Sequence, residues 1–175
     1  MNWTKISTKL MYKGWRSIWQ TTFRLPNQQE ATFDIVGTAD YVSIAAFTKN
    51  KEAILVKQYR PGPEMPLVSF PEGGIEKGEA ATVAAARELL EETGYRSQNL
   101  VYLKTFRSAY FTERQICVLA LDCEKVSGQQ LDNTEFIDVF LLPIEKFRAF
   151  LTNSEDSTFT NVDVAYLALD YMGLL

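Results

Sequence analysis

A chain of 175 residues, 46% hydrophobic and 23% charged, is long enough to bury a core, and both fractions are ordinary for a globular protein. Its formal charge of −4, with a pI near 5.0 and no basic run, argues against nucleic acid as the main partner, because phosphate-backbone binding needs clustered Lys and Arg. The chain has no histidine, which excludes Ser-His-Asp catalysis and His-ligated zinc.

Residues 1–13 show no clear period and read as a short frayed segment. The run GWRSIWQTTFR at 14–24 places Trp15, Trp19 and Phe23 at a spacing that suits a helix or one face of a strand. The Pro26-Asn27 turn and the alternating ATFDIV at 31–36 that follow favour a strand. Residues 41–48 and 53–60 are rich in β-formers and joined by the polar Lys49-Asn50-Lys51-Glu52, an antiparallel hairpin. Pro61-Gly62-Pro63 breaks regular structure, and a helix follows inside 73–95.

Beyond that helix, 100–107 and 115–123 read as strands around the turn SAYFTER, and 126–133 as a polar loop. Residues 135–142 form a further strand, and Pro143 suits the first turn of a short helix ending near Leu151. Residues 152–160 are a polar linker. In 161–174, Val164, Leu167, Ala168 and Tyr171 recur at helical spacing, the apolar stripe of a docked C-terminal helix. Without repeats or a second domain, 1–175 reads as a single α+β domain.

Cys117 and Cys123 lie in one strand-like run, on one face by their even spacing but roughly 20 Å apart. They cannot bridge each other and read as buried thiols of a reducing compartment. No apolar run approaches the roughly 18 residues of a membrane span. The N-terminus is unlike a signal peptide, so a cytoplasmic protein is expected, with no membrane partner.

The stretch GGIEKGEAATVAAARELLEETGY at 73–95 organises the chain. Glu88 and Glu92 are four residues apart and Glu88 and Glu91 three apart, which places all three on adjacent turns of one helical face. Like charges at these spacings repel, so a cluster kept there needs cations. Oxygen-only donors suit a hard ion, Mg²⁺ or Mn²⁺. A solvated helix face is the competing reading of RELLEE taken alone. Gly73, Gly74 and Gly78 allow tight turns and close approach. Glu79 is placed to grip Arg87 in a two-pronged ion pair, Arg87 to orient Glu91 at i+4, and Gly94 to cap the helix. Val83, Ala86 and Leu90 form the opposite stripe, expected to pack on a sheet.

The full spacing decides between the two readings. A glycine (Gly73), five residues, Glu79, seven residues, then Arg87, Glu88, Leu89, Glu91, Glu92, Gly94 and Tyr95 reproduce the Nudix box. The chain resembles a Nudix hydrolase. The resemblance implies an α/β/α sandwich around a mixed β-sheet, with the box as loop–helix–loop. It also implies an enzyme: a Mg²⁺- or Mn²⁺-dependent pyrophosphohydrolase acting on a small nucleotide, a nucleoside diphosphate linked to a further group. Carried over by position, Glu88 and Glu92 are the main metal ligands, Glu91 shares or bridges, and the backbone carbonyl of Glu72 supplies a further donor.

Outside the box, QYRPG at 58–62 ahead of the PEGG turn resembles the ADP-ribose pyrophosphatase branch. That likeness implies ADP-ribose or a related nucleotide sugar as substrate, with Arg60 on the diphosphate or terminal ribose; a strand-end surface ion pair is the other reading of Arg60. It also implies a homodimer in which the N-terminal strands within 1–36 contact a second subunit. Trp15 and Trp19 are candidates to stack on the base, against simple core or dimer packing, and Phe111 is the aromatic residue of the downstream loop. A late acidic loop, Leu131 to Phe136, should supply the general base, with Glu135 chosen over Asp132. The chain departs from the branch at Ser69, where an acid is usual, at Glu72, where a small residue is usual, and at Ala109-Tyr110, where Pro-Gly is usual. GDP-mannose, dinucleoside polyphosphates and oxidised nucleoside triphosphates therefore remain open. So does a non-catalytic nucleotide sensor, although every box acid is present.

Overall fold

The computed structural model describes residues 2–153 and 158–175, so part of the linker expected at 152–160 lies outside the described residues. The chain divides into two compact units, one of residues 1–40 with 106–115, the other of 41–105 with 116–175.

The first unit holds an antiparallel three-stranded sheet in the order β1 (Thr4–Lys13), β2 (Ser17–Arg24), β3 (Glu30–Gly37). The segment expected to fray is thus a ten-residue strand. All ten of its residues are exposed. With neither face buried, no alternation marks the sequence, and pairing to β2 is what orders it. On this sheet Trp3, Phe23 and Phe33 form an edge-packed cluster, with ring centroids 5.6–6.2 Å apart, and Tyr110 stacks on Phe33 at 6.3 Å.

The second unit is built on a mixed sheet in the order β11 (Ile137–Pro143), β5 (Glu52–Arg60), β4 (Tyr41–Thr48), β10 (Arg114–Lys125), β8 (Tyr95–Arg96). Three further strands attach: β6 (Met65–Ser69) to β5, β7 (Glu72–Gly74) to β4, and β9 (Asn99–Arg107) to β10. The two short strands β6 and β7 were not expected from the sequence. The hairpin of β4 and β5 is present and antiparallel.

Six consecutive residues of β4, Val42 to Phe47, are buried, because the strand is covered on both faces. Val42, Ile44 and Ala46 point to helix α1 (Ala81–Thr93), meeting Ala84, Ala85 and Leu89. On the other face, Phe47 packs on Phe70, Phe159 lies against Phe70, and Phe147 of helix α2 (Ile144–Thr152) touches all three. Helix α3 (Val162–Tyr171) also contacts β4. This is the helix–sheet–helix sandwich, with the box as loop, helix and loop.

Three local expectations shift. The buried face of α1 is Ala84, Ala85 and Leu89, while Val83 is 57% exposed; the small alanines let the helix sit close on β4. In α3 the buried set is Val164, Ala165, Ala168 and Leu169, and Tyr171 is exposed. Cys123 joins Ile116, Val118 and Ala120 in the core under α1, whereas Cys117, of opposite parity to those three, lies outside that cluster. Asp122, at φ 54, interrupts the strand's alternation between them. Both thiols are free and buried, and burial pushes each up to about 12.

Gly94 closes α1 in the left-handed conformation, φ 70, donating its N–H to the Leu90 carbonyl. A Cβ there would collide with the Ser127 carbonyl oxygen. Gly94→Ala is expected to destabilise the protein by about 2 kcal/mol, because strain and collision add. A shift of the urea midpoint at constant slope measures it; an unchanged midpoint contradicts it.

Candidate active site

The site is assembled where β7 runs into the glycine turn and α1 returns beneath it. β7 pairs with β4 in the register Tyr41↔Gly74, Val42↔Gly73, Ser43↔Glu72, which anchors the turn to the most buried strand. Gly73 leaves room for the Glu88 carboxylate to lie against the turn: a Cβ there would fall on it.

Arg87 is the hub. Its Nε and Nη2 donate to Glu79 Oε1 and Oε2 at 3.0 and 2.9 Å, a two-pronged pair. Nη1 donates to Glu88 at 2.6 Å and to Glu91 at 3.2 Å, and Nη2 also reaches the Gly74 carbonyl at 2.9 Å. Five donors in a fixed plane thus tie the turn to the acidic helix face. Glu79 lies before the helix, whose first turn carries no acid, so its contribution is to Arg87 rather than to the helix dipole. The bond to Arg87 holds its carboxyl below the usual range.

Glu92 is 5% exposed and accepts the Glu72 backbone N–H at 3.1 Å. Burial, with the charges of Glu88, Glu72 and Glu135 added, pushes its carboxyl up to about 8 against the hydrogen bond from Glu72. Glu88 is raised by burial too, opposed by Arg87 and reinforced by Glu91 and Glu135. Two consequences follow from these neighbours. The acids are crowded beyond what Arg87 compensates, and Glu135 is close enough for its charge to be felt at both Glu88 and Glu92. Glu135 itself is exposed, in a turn where its carboxylate accepts the Asp132 N–H at 3.0 Å.

Among the described residues, no three acidic, cysteine or histidine side chains are gathered as a ready ligand set. Arg87 Nη1 lies between Glu88 and Glu91 instead. The donors nonetheless fit a hard divalent cation: they are all oxygens, and a cation would offset both the burial and the neighbouring acid charges that raise Glu88 and Glu92.

Glu72 presents more than its carbonyl. Its buried side chain accepts hydrogen bonds from Ser43 Oγ and Asn161 Nδ2, both at 2.6 Å, and lies 3.9 Å from Arg60. Burial raises this carboxyl despite the two hydrogen bonds. Ser43 and Asn161 were absent from the sequence-derived set. A serine inside the apolar run YVSIAAFT was a usable signal, whereas Asn161 reads as an ordinary helix cap. Its side chain makes no cap hydrogen bond.

Trp15, Trp19 and Phe111 belong to the first unit. Trp15 is 99% exposed, Trp19 donates its indole N–H to Ser17 at 2.9 Å, and Phe111 pairs with Val36 in an isolated bridge.

A family model for the NUDIX domain matches residues 37–161. The methanol dehydrogenase activator of Bacillus methanolicus is 33% identical over 150 residues, covering 83% of this chain and 80% of that protein. The ADP-ribose pyrophosphatase of Bacillus subtilis (strain 168) is 34% identical over 124 residues, covering 69% and 67%. A crystal structure of an ADP compounds hydrolase superposes with a TM-score of 0.86 over 100% of this chain and 98% of the other. At 24% identity that likeness shows a common fold.

Proposed function

The chain belongs to the NUDIX domain family of hydrolases, and from that premise we propose that it cleaves the diphosphate of ADP-ribose or a related nucleotide sugar with the help of Mg²⁺ or Mn²⁺. The observation that carries the reading is the acidic face of α1, with Glu88, Glu91 and Glu92 retained and Arg87 gripped by Glu79 beside the glycine turn. The likeness to an ADP-ribose pyrophosphatase supports the substrate class. When bound, the ion neutralises diphosphate charge and lowers the pKa of an attacking water.

In this reading Glu88 and Glu92 hold the ion, with Glu91 sharing it and the Glu72 carbonyl adding a donor. Arg87 orients Glu91. Arg60, half-exposed at the end of β5, meets the diphosphate, and Trp15, Trp19 and Phe111 are the proposed contacts to the rest of the nucleotide. Glu135 takes the proton from water. A homodimer is part of the proposal: the wholly exposed β1 presents Ile6, Leu10 and Met11, apolar surface that a second copy would cover. No helix among the described residues is long and apolar enough to cross a membrane. Free, buried cysteines support a reducing compartment, the cytoplasm.

A hydrolysis screen with and without Mg²⁺ over ADP-ribose, GDP-mannose, dinucleoside polyphosphates and oxidised nucleoside triphosphates tests the reading. Turnover of ADP-ribose or a nucleotide sugar in preference to the others is expected; preference for a triphosphate overturns the substrate class. The likeness to a methanol dehydrogenase activator favours a second reading, a nucleotide-binding regulator of a partner enzyme. Absence of metal-dependent turnover on every substrate would select it.

The base assignment has its own test. Glu135→Gln is expected to lower kcat by about 10²–10⁴-fold with metal affinity little changed, since glutamine cannot accept the proton. Raising the pH should partly rescue it as hydroxide replaces assisted water. Asp132→Asn should have a much smaller effect. A dead Asp132→Asn beside a normal Glu135→Gln reverses the assignment, and two normal variants place the base in the box, at Glu91.

A further inference from the structure

We propose that the Glu72 side chain is a positioning residue for Arg60, locked by Ser43 and Asn161 so that one carboxylate oxygen steers the guanidinium toward the substrate's anion. The proposal rests on the reading that Arg60 meets the diphosphate.

The geometry divides the carboxylate into two halves. Oε1 receives both short hydrogen bonds, from Ser43 Oγ and Asn161 Nδ2 at 2.6 Å each. Asn161 is 3% exposed, and its Oδ1 accepts the Phe70 N–H at 2.7 Å, so its amide can turn only its Nδ2 to Glu72. The segment leading into Asn161 is itself pinned: Val68 donates to the Thr158 carbonyl and Thr160 to the Val68 carbonyl, each at 3.0 Å. The β4–β7 register fixes Ser43 opposite Glu72. Two groups from distant parts of the chain thus hold Oε1, and Oε2 is left facing Arg60.

At 3.9 Å the contact from Arg60 Nη2 to Oε2 is too long for a hydrogen bond. It acts through charge, orienting the guanidinium without occupying its planar donors, which remain available to phosphate oxygens. The Glu72 side chain is only 19% exposed, which limits screening at the carboxylate, while that of Arg60, 41% exposed, stays open to an anion.

The sign of the effect tests the idea. A carboxylate near a diphosphate that merely repels it would, on removal, lower KM. A carboxylate that positions Arg60 would, on removal, raise it. Glu72→Gln keeps an oxygen for Ser43 and Asn161 and removes the charge. With the best substrate of the screen, KM is expected to rise about tenfold with kcat within about threefold, since uniform binding is what is lost. Arg60→Ala should raise KM at least as much. In the Arg60→Ala background, Glu72→Gln should leave KM unchanged or lower it.

A fall in KM for Glu72→Gln alone, a loss confined to kcat, or a full additive rise in the double variant overturns the proposal. A normal KM in Arg60→Ala instead overturns the parent reading of Arg60, and is a separate result. Should Glu72→Gln fail to fold, Ser43→Ala loosens the same carboxylate without removing its charge. A smaller KM-only rise is then expected, and an unchanged KM counts against the lock.

Discussion

Glu92→Gln is expected to lower kcat by at least about 10³-fold while the fold survives. Loss of an outer-shell partner around a metal commonly costs 10–100-fold, and Glu92 is proposed as a direct ligand. Glutamine keeps the shape and an oxygen that can accept the Glu72 backbone N–H, so the packing of α1 should hold. Near wild-type kcat at saturating Mg²⁺ would remove Glu92 from the ion.

The same variant makes a stability prediction with a definite sign. In the metal-free protein, burial and the surrounding acids lift Glu92 from 4.5 to about 8, so the folded state holds that proton more tightly than the unfolded chain does. This contribution to stability is fully present below about pH 4.5 and is lost as the pH rises through about 8. Glutamine has no proton to lose. The variant should therefore melt at or above the wild-type temperature once the pH exceeds about 8 without metal. Adding Mg²⁺ should raise the wild-type melting temperature more than the variant's, because ligand binding stabilises only the form that binds it well.

Arg87→Lys should be far from conservative. Lysine has one point charge and cannot span both Glu79 oxygens while also reaching Glu88, Glu91 and the Gly74 carbonyl. These bonds raise the arginine's hold on its proton still further, Glu79 contributing most. With the fork gone, Glu88 and Glu91 lose their common tether and the glycine turn loses its tie to α1. A loss of about 10²-fold in kcat is expected, with a smaller change in KM, as for a residue that orients ligands without touching substrate. Steady-state kinetics showing the reverse split would mean that Arg87 contacts the substrate directly.

What the sequence alone determined is the local part of the site. Acids at i, i+3 and i+4, an arginine directly before the first of them and a glycine at the helix end act within a few turns of one helix, so their spacing already states their geometry. The β4 and β5 hairpin was equally legible, being an apolar run, a polar turn and a second run. The N-terminal strand β1 was not, because a strand exposed on both faces carries no period to read. Which face of α1 is buried was decided by the sheet: Ala84, Ala85 and Leu89 meet β4, whereas Val83 is 57% exposed. One residue at positive φ, Asp122, separated two cysteines that simple alternation would have placed together. The lock on Glu72 lay furthest from view. Its partners are 29 and 89 residues away in the chain, and only the pairing of β4 with β7 and the return of the chain into α3 bring a serine, an asparagine and a glutamate onto one carboxylate oxygen.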